Sequence, residues 1–155
     1  MKKTLCLVLT LLSMLAAQDS KIDQVAAEAA LELRMAQLSQ ALDVEGAGGA
    51  AYGEVLAEDY TRWTVGKGKI NAKTPWVKGI ADWFDSGWRV VESTNQILEV
   101  TLTKEHAHVR RIVTEAYAGP DGEDESYRTG VVEQWVRKEG QWYLRRASVS
   151  PTKIK

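Results

Sequence analysis

The spacing of apolar and polar residues changes once along the chain, from a helical period in the first half to strict alternation in the second. Residues 22–42 lack Gly and Pro and are rich in Ala, Leu, Glu and Gln, which predicts a long first helix. Its apolar residues fall on two sides, a pattern typical of a helix covered by a sheet and by a second partner. Residues 50–57 predict a short second helix. Thr74 and Pro75 predict the start of a third that ends near Gly87, since a hydroxyl can cap the free N–H groups.

From residue 88 onward apolar and polar positions alternate with a period of two, the period of β-strands. Residues 60–65 have the composition of a further strand between the second and third helices. Helices first and strands afterwards predict an α+β domain, with helices packed on a strongly curved antiparallel sheet that forms a cone with an internal pocket. The later strands are expected at residues 88–94, 96–103, 107–117, 127–137 and 142–149.

The N-terminus has the pattern of a secretory signal peptide. Two lysines precede an apolar run that extends to Leu15, and two alanines follow it. Polar residues end the run well short of the roughly 20 apolar residues that cross a membrane. We therefore expect cleavage near Ala17. Residues 18–155 would be exported as a single domain, to the periplasm or the medium, without a membrane anchor.

Composition limits which covalent links, metal sites and partners are expected for the mature chain. Its one cysteine, Cys6, lies in the predicted signal peptide, so we expect no disulfide and no cysteine-bound metal after cleavage. Removal of Lys2 and Lys3 reduces 20 basic residues to 18, against 21 acidic ones. So small a net charge argues against nucleic acid or an anionic membrane as the main partner.

Three weak motifs do not indicate a cofactor or a metal. The Gly-x-Gly-x-x-Ala string at residues 46–51 follows a predicted helix, whereas a dinucleotide loop follows a strand. His106 and His108 could share one metal, but a stable site needs more ligands, and the chain has only two histidines. The acidic residues at 121–125 lack the ligand spacing of a calcium loop. We expect no cofactor and no metal site.

The predicted strand at residues 107–117 carries the clearest candidate site. Because side chains alternate across a sheet, Arg111, Glu115 and the Tyr117 hydroxyl lie together on an otherwise apolar face. Charges on such a face must be paired or hydrated. One interpretation is a pocket in which Glu115 is a general base and Arg111 orients an anionic or carbonyl group. The other is a structural salt bridge between these two residues at the rim of the sheet.

Neighbouring strands add further candidates. Glu133 shares a strand face with Trp135 and is a second candidate base, unless that face is solvated. Tyr60 and Trp63 follow the second helix and are candidates for a pocket wall, and Trp135 is a further candidate ligand contact. Four tryptophans stand at helix or strand positions typical of the core, and most of them are expected to be packing: Trp76, Trp83, Trp135 and Trp142. A cavity lined by aromatic residues and few polar groups suits a small, largely apolar ligand.

Two segments resemble the nuclear transport factor 2-like superfamily, in its SnoaL-like bacterial branch. They are residues 56–60, Leu-Ala-Glu-Asp-Tyr, and residues 136–142, Val-Arg-Lys-Glu-Gly-Gln-Trp. The resemblance covers residues 28–150. It implies a small cone-shaped domain in which a sheet and helices enclose a pocket, and which often dimerises through the sheet. Members of the family include isomerases, dehydratases and polyketide cyclases, so the fold does not identify the reaction.

The sequence therefore leads to three functional hypotheses. The first is an exported, homodimeric domain that binds a small organic molecule without a cofactor. The second is a cofactor-independent lyase or isomerase in which Glu115 or Glu133 removes a proton from a small apolar substrate. The third is a protein-interaction module that uses the opposite sheet face, where His106, His108 and Arg110 lie.

Overall fold

A six-stranded β-sheet with three helices packed on it makes up the part of the chain that the structure, a computed structural model, describes. The described residues are 24–155. They have the predicted α+β architecture, and the sheet is mixed and open rather than closed into a barrel. The predicted signal peptide, residues 1–17, lies outside the described residues.

The three helices occupy the first half of the chain. Helix α1 is described over residues 24–40, α2 spans Gly48–Glu54 and α3 spans Lys73–Asp85. On α1, one side is buried at helical spacing through Leu31, Met35 and Leu38, while Leu33 on another side is exposed. Within the described residues, α1 is thus covered on one of the two sides that its sequence pattern suggested.

Two helix boundaries differ from the prediction. Helix α2 ends before Leu56 and Ala57, which are buried in the following strand. The reason is tertiary, because the chain here pairs with the strand that carries Leu144. Helix α3 begins at Lys73, one residue before Thr74, and its N-cap position has no side-chain hydrogen bond. The predicted capping role of the Thr74 hydroxyl is therefore wrong.

The six strands are ordered β2-β1-β6-β5-β4-β3 in the sheet. The four C-terminal strands form an antiparallel meander, as predicted, whereas β1 runs parallel to β6. Where two strands were expected at residues 88–103 there is one, because its pairing with β4 continues through Asn95. The strands are β1 Leu56–Thr64, β2 Ile70–Ala72, β3 Arg89–Leu102, β4 His106–Ala118, β5 Asp124–Lys138 and β6 Gln141–Lys153.

Trp142 joins the C-terminal part of the sheet to the first helix. Its ring is fully buried, and its indole N–H donates a hydrogen bond of 3.0 Å to the carbonyl of Ala27. The turn before it contains Glu139 and Gly140, both with positive φ angles of 50° and 81°. The segment at residues 136–142 that carries the resemblance is thus a tight turn followed by a core anchor.

Helices α2 and α3 approach each other closely through a glycine. A Cβ atom placed on Gly49 would lie 2.8 Å from the backbone nitrogen of Ala81, so no larger residue fits without a shift. This contact fixes α3 over one end of the sheet, where its inner side can reach the interior of the domain.

Candidate functional site

A cavity of about 680 Å³ lies between the helices and the inner face of the sheet. Side chains from α1, α2, α3 and strands β1, β4, β5 and β6 line it, and most of them are apolar or aromatic. Pockets that bury small organic ligands have volumes of this order, roughly 300 to 1,000 Å³. The ionisable side chains of the lining, apart from its tyrosines, are Arg62, Arg111, Glu115, Glu125 and Glu133.

The buried end of the cavity contains an ion pair between β4 and β5. The Arg111 guanidinium donates two hydrogen bonds to one oxygen of the Glu133 carboxylate, at 2.6 and 3.2 Å. The second oxygen accepts a hydrogen bond of 3.0 Å from the Trp135 indole N–H. Arg111 is 7% exposed and Glu133 is 2% exposed. The two charges therefore neutralise each other in a site almost without solvent.

One interpretation of the sequence was a salt bridge between Arg111 and Glu115. In the structure Arg111 pairs with Glu133 instead. Glu115 is four residues away along the same strand, a separation of about 13 Å at the rise of a β-strand. Val109 lies directly opposite Glu133 on the neighbouring strand, and Arg111 is two residues along from Val109, so Arg111 and Glu133 are diagonal neighbours on one face. Cross-strand neighbours of this kind lie within side-chain reach.

Three buried polar atoms beside this pair make no hydrogen bond to any of the described residues. They are the Tyr60 hydroxyl, the Trp76 indole nitrogen and one terminal guanidinium nitrogen of Arg111. Tyr52 lies beside Trp76 and Tyr60, although no hydrogen bond of ordinary geometry joins them. Burial raises the pKa of the Tyr60 and Tyr52 hydroxyls, so both stay protonated and can donate. The buried end thus presents several donors to the cavity.

Arg62 adds a further positive charge that the sequence analysis missed. Its guanidinium lies over the Trp76 ring, 4.0 Å from the centroid, and donates a hydrogen bond of 3.1 Å to the Thr64 hydroxyl. It forms no ion pair with any residue in the range 24–155. Its position two residues after Tyr60 on a strand was the signal that could have identified it.

Glutamate–tyrosine pairs line the cavity where it opens toward the β4–β5 hairpin. The Tyr117 hydroxyl donates to the Glu115 carboxylate at 2.5 Å, and the Tyr127 hydroxyl donates to Glu125 at 3.2 Å. Burial, and then the negative charge of Glu115, raise the pKa of Tyr117. All four side chains are partly exposed, unlike those at the buried end.

The seven predicted site residues divide into five that line the cavity and two aromatic residues that do not. Tyr60, Arg111, Glu115, Tyr117 and Glu133 line one cavity, as the sequence suggested. Among these, Glu133 has both carboxylate oxygens engaged by Arg111 and Trp135, whereas within residues 24–155 Glu115 accepts a hydrogen bond through one oxygen, from Tyr117.

Two aromatic predictions need correction. Trp63 does not line the cavity: it is 38% exposed, and its indole N–H donates to the carbonyl of Lys67 at 2.7 Å. The reason is strand alternation, which turns Tyr60 and Arg62 inward and Trp63 outward. Trp135 is a core residue that holds Glu133 and does not itself line the cavity.

Conversely, two tryptophans of α3 that were expected to be core packing line the cavity. They are Trp76 and Trp83, on the inner side of the helix. A helical apolar face looks the same in sequence whether it covers a filled core or a cavity, so the pattern could not separate these cases.

The opposite face of β4 carries His106, His108 and Arg110, as predicted. Arg110 forms a surface ion pair of 3.0 Å with Glu99 on β3. Within residues 24–155, no group of three His, Cys, Asp or Glu side chains could hold a metal ion. In the same described range no helix has the length and apolar character needed to cross a membrane.

Solved structures share the fold of this chain. A protein from Planctomyces limnophilus aligns with a TM-score of 0.73 and 16% identity, covering 83% of this chain and 98% of that one. An NTF2-like protein of unknown function from Shewanella baltica aligns at 0.59 and 13%, covering 83% and 95%. A ketosteroid isomerase-like protein from Erwinia carotovora atroseptica aligns at 0.61 and 17%, covering 83% and 93%.

These alignments confirm the predicted nuclear transport factor 2-like fold. At such low identities they establish the fold alone. No known protein family matches the chain by its sequence profile. No curated protein matches it in sequence either.

Proposed function

We propose that the mature chain is a single exported domain that binds a small organic molecule in this cavity, without a cofactor. The observation that carries the proposal is the cavity of about 680 Å³, whose lining includes three residues with buried polar atoms that have no hydrogen bond of ordinary geometry within residues 24–155. A buried polar group without a hydrogen bond costs about 1–3 kcal/mol. A ligand that offers acceptors to these atoms recovers that free energy.

The same geometry describes the ligand. The Arg62 and Arg111 guanidiniums, the Tyr60 hydroxyl and the Trp76 N–H are all donors, so the buried part of the ligand carries an acceptor such as a carbonyl or carboxylate oxygen. The lining is otherwise apolar, through residues such as Val113 and the rings of α3. The body of the ligand is therefore apolar or aromatic.

Replacement of Tyr60 by Phe tests the proposal. Because the Tyr60 hydroxyl has no hydrogen bond of ordinary geometry to any of residues 24–155, its removal should leave the unfolding midpoint of the free domain unchanged or slightly raised. Affinity for a ligand with a carbonyl or carboxylate should fall by about 1 kcal/mol, roughly fivefold. Tyr143→Phe is the matched control, because the Tyr143 hydroxyl bonds to Gln141 and does not line the cavity.

The measurement is thermal unfolding of residues 18–155 against a panel of apolar acids, ketones and neutral hydrocarbons. A ligand at about 100 times its dissociation constant adds roughly 2.7 kcal/mol, a shift of several degrees. The proposal is wrong if no compound of the panel shifts the midpoint. It is also wrong if Tyr60→Phe retains the full shift for the best acid or ketone.

A second candidate function is proton abstraction by a carboxylate, in a lyase or isomerase. The observation that favours it is the Glu115 carboxylate, which lines the cavity and, within residues 24–155, has one hydrogen bond, from Tyr117. A solved neighbour described as ketosteroid isomerase-like has the same fold. If this function holds, exchange of a ligand's acidic C–H proton with deuterated water should require Glu115 and be abolished by Glu115→Gln, while an acid or ketone without an ammonium group still binds.

Export and self-association complete the proposal. Export is supported by the signal-peptide pattern of residues 1–17, and sequencing the N-terminus of the periplasmic or secreted protein tests it. Association of two copies through the sheet is supported by the exposed side chains of Leu98 and Val132, and sedimentation equilibrium tests it. A protein partner at the face with His106 and Arg110 is the remaining alternative.

A further inference from the structure

Four aromatic rings form a continuous surface at the open end of the cavity. Trp83 stacks on Trp88 with 6.4 Å between ring centroids and 23° between the planes. Trp83 also meets Tyr117 edge to face, at 5.8 Å and 87°, and Tyr117 contacts Tyr127 at 5.9 Å and 56°. All four side chains line the cavity, and we refer to them as the aromatic wall.

Two carboxylates are built into this wall by the strand register. Glu115 and Tyr117 of β4 lie directly opposite Tyr127 and Glu125 of β5, respectively. Each glutamate therefore has a tyrosine two residues away on its own strand and another across the ladder. Glutamates and tyrosines therefore alternate along each strand and across the two strands, and we refer to these four residues as the Glu–Tyr cluster.

One half of the Glu–Tyr cluster, Glu125 with Tyr127, already binds a cation of the protein, the Lys153 side chain. The Lys153 ammonium forms an ion pair of 2.6 Å with Glu125 and lies 6.0 Å from the centroid of the Tyr127 ring. The other half has the same components, because Glu115 lies beside Tyr117 and faces the cavity. Within residues 24–155, however, Glu115 forms no ion pair.

We propose that the aromatic wall and Glu115 bind an organic ammonium group of the ligand. The inference rests on the function proposed above and names the chemistry at the second end of the same ligand. A cation near an aromatic face gains free energy from the ring quadrupole, and this gain grows as the site is desolvated. An alkylated ammonium suits the site best, because it gives up little hydration and its methyl groups contact the rings.

The charges of the cavity are consistent with a dipolar ligand. Arg111 and Glu133 neutralise each other, and Lys153 neutralises Glu125. Within residues 24–155, the two charged residues of the lining left without an ion pair are Arg62, stacked on Trp76, and Glu115, on the aromatic wall. An acceptor oxygen at Arg62 and an ammonium group at Glu115 satisfy both.

The probe is choline, compared with its neutral isostere in which a tert-butyl group replaces the trimethylammonium group. The two have nearly the same size and shape, so the comparison isolates the charge. Binding to residues 18–155 is measured by calorimetry and by tryptophan fluorescence, to which Trp83 and Trp88 contribute along with the other four tryptophans. We expect choline to bind at least about tenfold more tightly than the isostere. Equal binding of the two, or tighter binding of the isostere, overturns the proposal.

Two variants with opposite expected effects locate the site. Glu115→Gln should weaken choline binding about tenfold and leave the isostere unaffected, whereas Glu99→Gln, on the outer face, should change neither. Lys153→Met should strengthen choline binding several-fold, because it frees Glu125 and Tyr127 for the ligand. A variant that only damaged the fold would lose affinity, so a gain of affinity in Lys153→Met is not explained by such damage. An unchanged affinity in both Glu115→Gln and Lys153→Met refutes the assignment.

The outcome separates this inference from the proposed function. If choline shows no preference but acids or ketones still stabilise the domain through Tyr60, the ammonium site is wrong and the pocket stands. If choline binds and depends on Glu115 while Tyr60→Phe has no effect on any ligand, the buried donors do not hold the acceptor group. If neither choline nor its isostere binds, the ammonium site is refuted. The ligand panel with Tyr60→Phe then tests by itself whether the cavity binds an organic molecule.

Discussion

Replacement of Glu133 by Gln should destabilise the domain more than any change on its surface, because it leaves the Arg111 guanidinium buried without a counter-charge. The Glu133 carboxylate accepts two hydrogen bonds from Arg111 and one from Trp135, and it is 2% exposed. Breaking a buried ion pair by removing one partner costs about 3–5 kcal/mol. The total stability of a small domain is about 5–15 kcal/mol, so the loss is a large part of it.

The assay is equilibrium unfolding in urea, followed by tryptophan fluorescence and circular dichroism, with a double-mutant cycle. Glu133→Gln and Arg111→Met should each cost about 3–5 kcal/mol, whereas the double variant should cost clearly less than their sum, because no unpaired charge is left. The coupling free energy should reach about 2 kcal/mol or more. In a thermal scan each single variant should lower the midpoint by about 10–20 °C.

The neighbouring residue on the same strand provides the control. Arg110 pairs with Glu99 at 3.0 Å, but these side chains are 58% and 48% exposed. Arg110→Met should therefore cost less than about 1 kcal/mol. The reasoning is refuted if Glu133→Gln costs no more than Arg110→Met, or if the two buried substitutions are additive.

Two further predictions concern the tyrosines and the helix contact. Burial raises the pKa of Tyr60 and of Tyr117, so above a pH of about 10 the unfolded chain loses protons that the native state keeps. The free energy of unfolding should then fall as the pH rises, by up to about 1.4 kcal/mol per pH unit for each tyrosine. Measured by urea unfolding at a series of pH values, this fall with pH should be smaller in the Phe variants. An identical fall with pH in Tyr60→Phe contradicts the prediction. Gly49→Ala should cost about 1–3 kcal/mol because its Cβ would meet the Ala81 backbone at 2.8 Å, whereas Gly79→Ala on α3, where the space is open, should stabilise by up to about 1 kcal/mol. Equal midpoints for these two glycine variants would show that α2 can move away from α3 at little cost.

Alternation along a strand identified the inner face of β4 correctly, including Arg111, Glu115 and Tyr117. It could not identify the partner of Arg111, because the register between β4 and β5 is a property of two strands and their turn. The error at Trp63 was avoidable, since residues three apart on a regular strand face opposite sides. Strict use of that period would have chosen Arg62 in its place.

Long-range pairing set the limit of the fold prediction. The parallel pairing of β1 with β6 leaves no local signal in the sequence, and it converts Leu56 and Ala57 from expected helix to strand. In β3 a polar residue, Asn95, suggested a break, but the partner strand supplies the pairing that keeps the chain extended there. Composition and period were sufficient for the class of the fold and insufficient for these tertiary effects.

The position of β6 between β5 and β1 has a consequence for how the chain folds. The last strand of the described chain is also the one that joins the meander to β1, and the Trp142 hydrogen bond to Ala27 spans 115 positions. Strand β1 therefore cannot join the meander until β6 is in place. Contacts of such high sequence separation slow folding, because the loop must close before the contacts form. Loss of β6 alone would separate the meander from β1. We therefore expect the domain to fold in a single cooperative step that waits for β6.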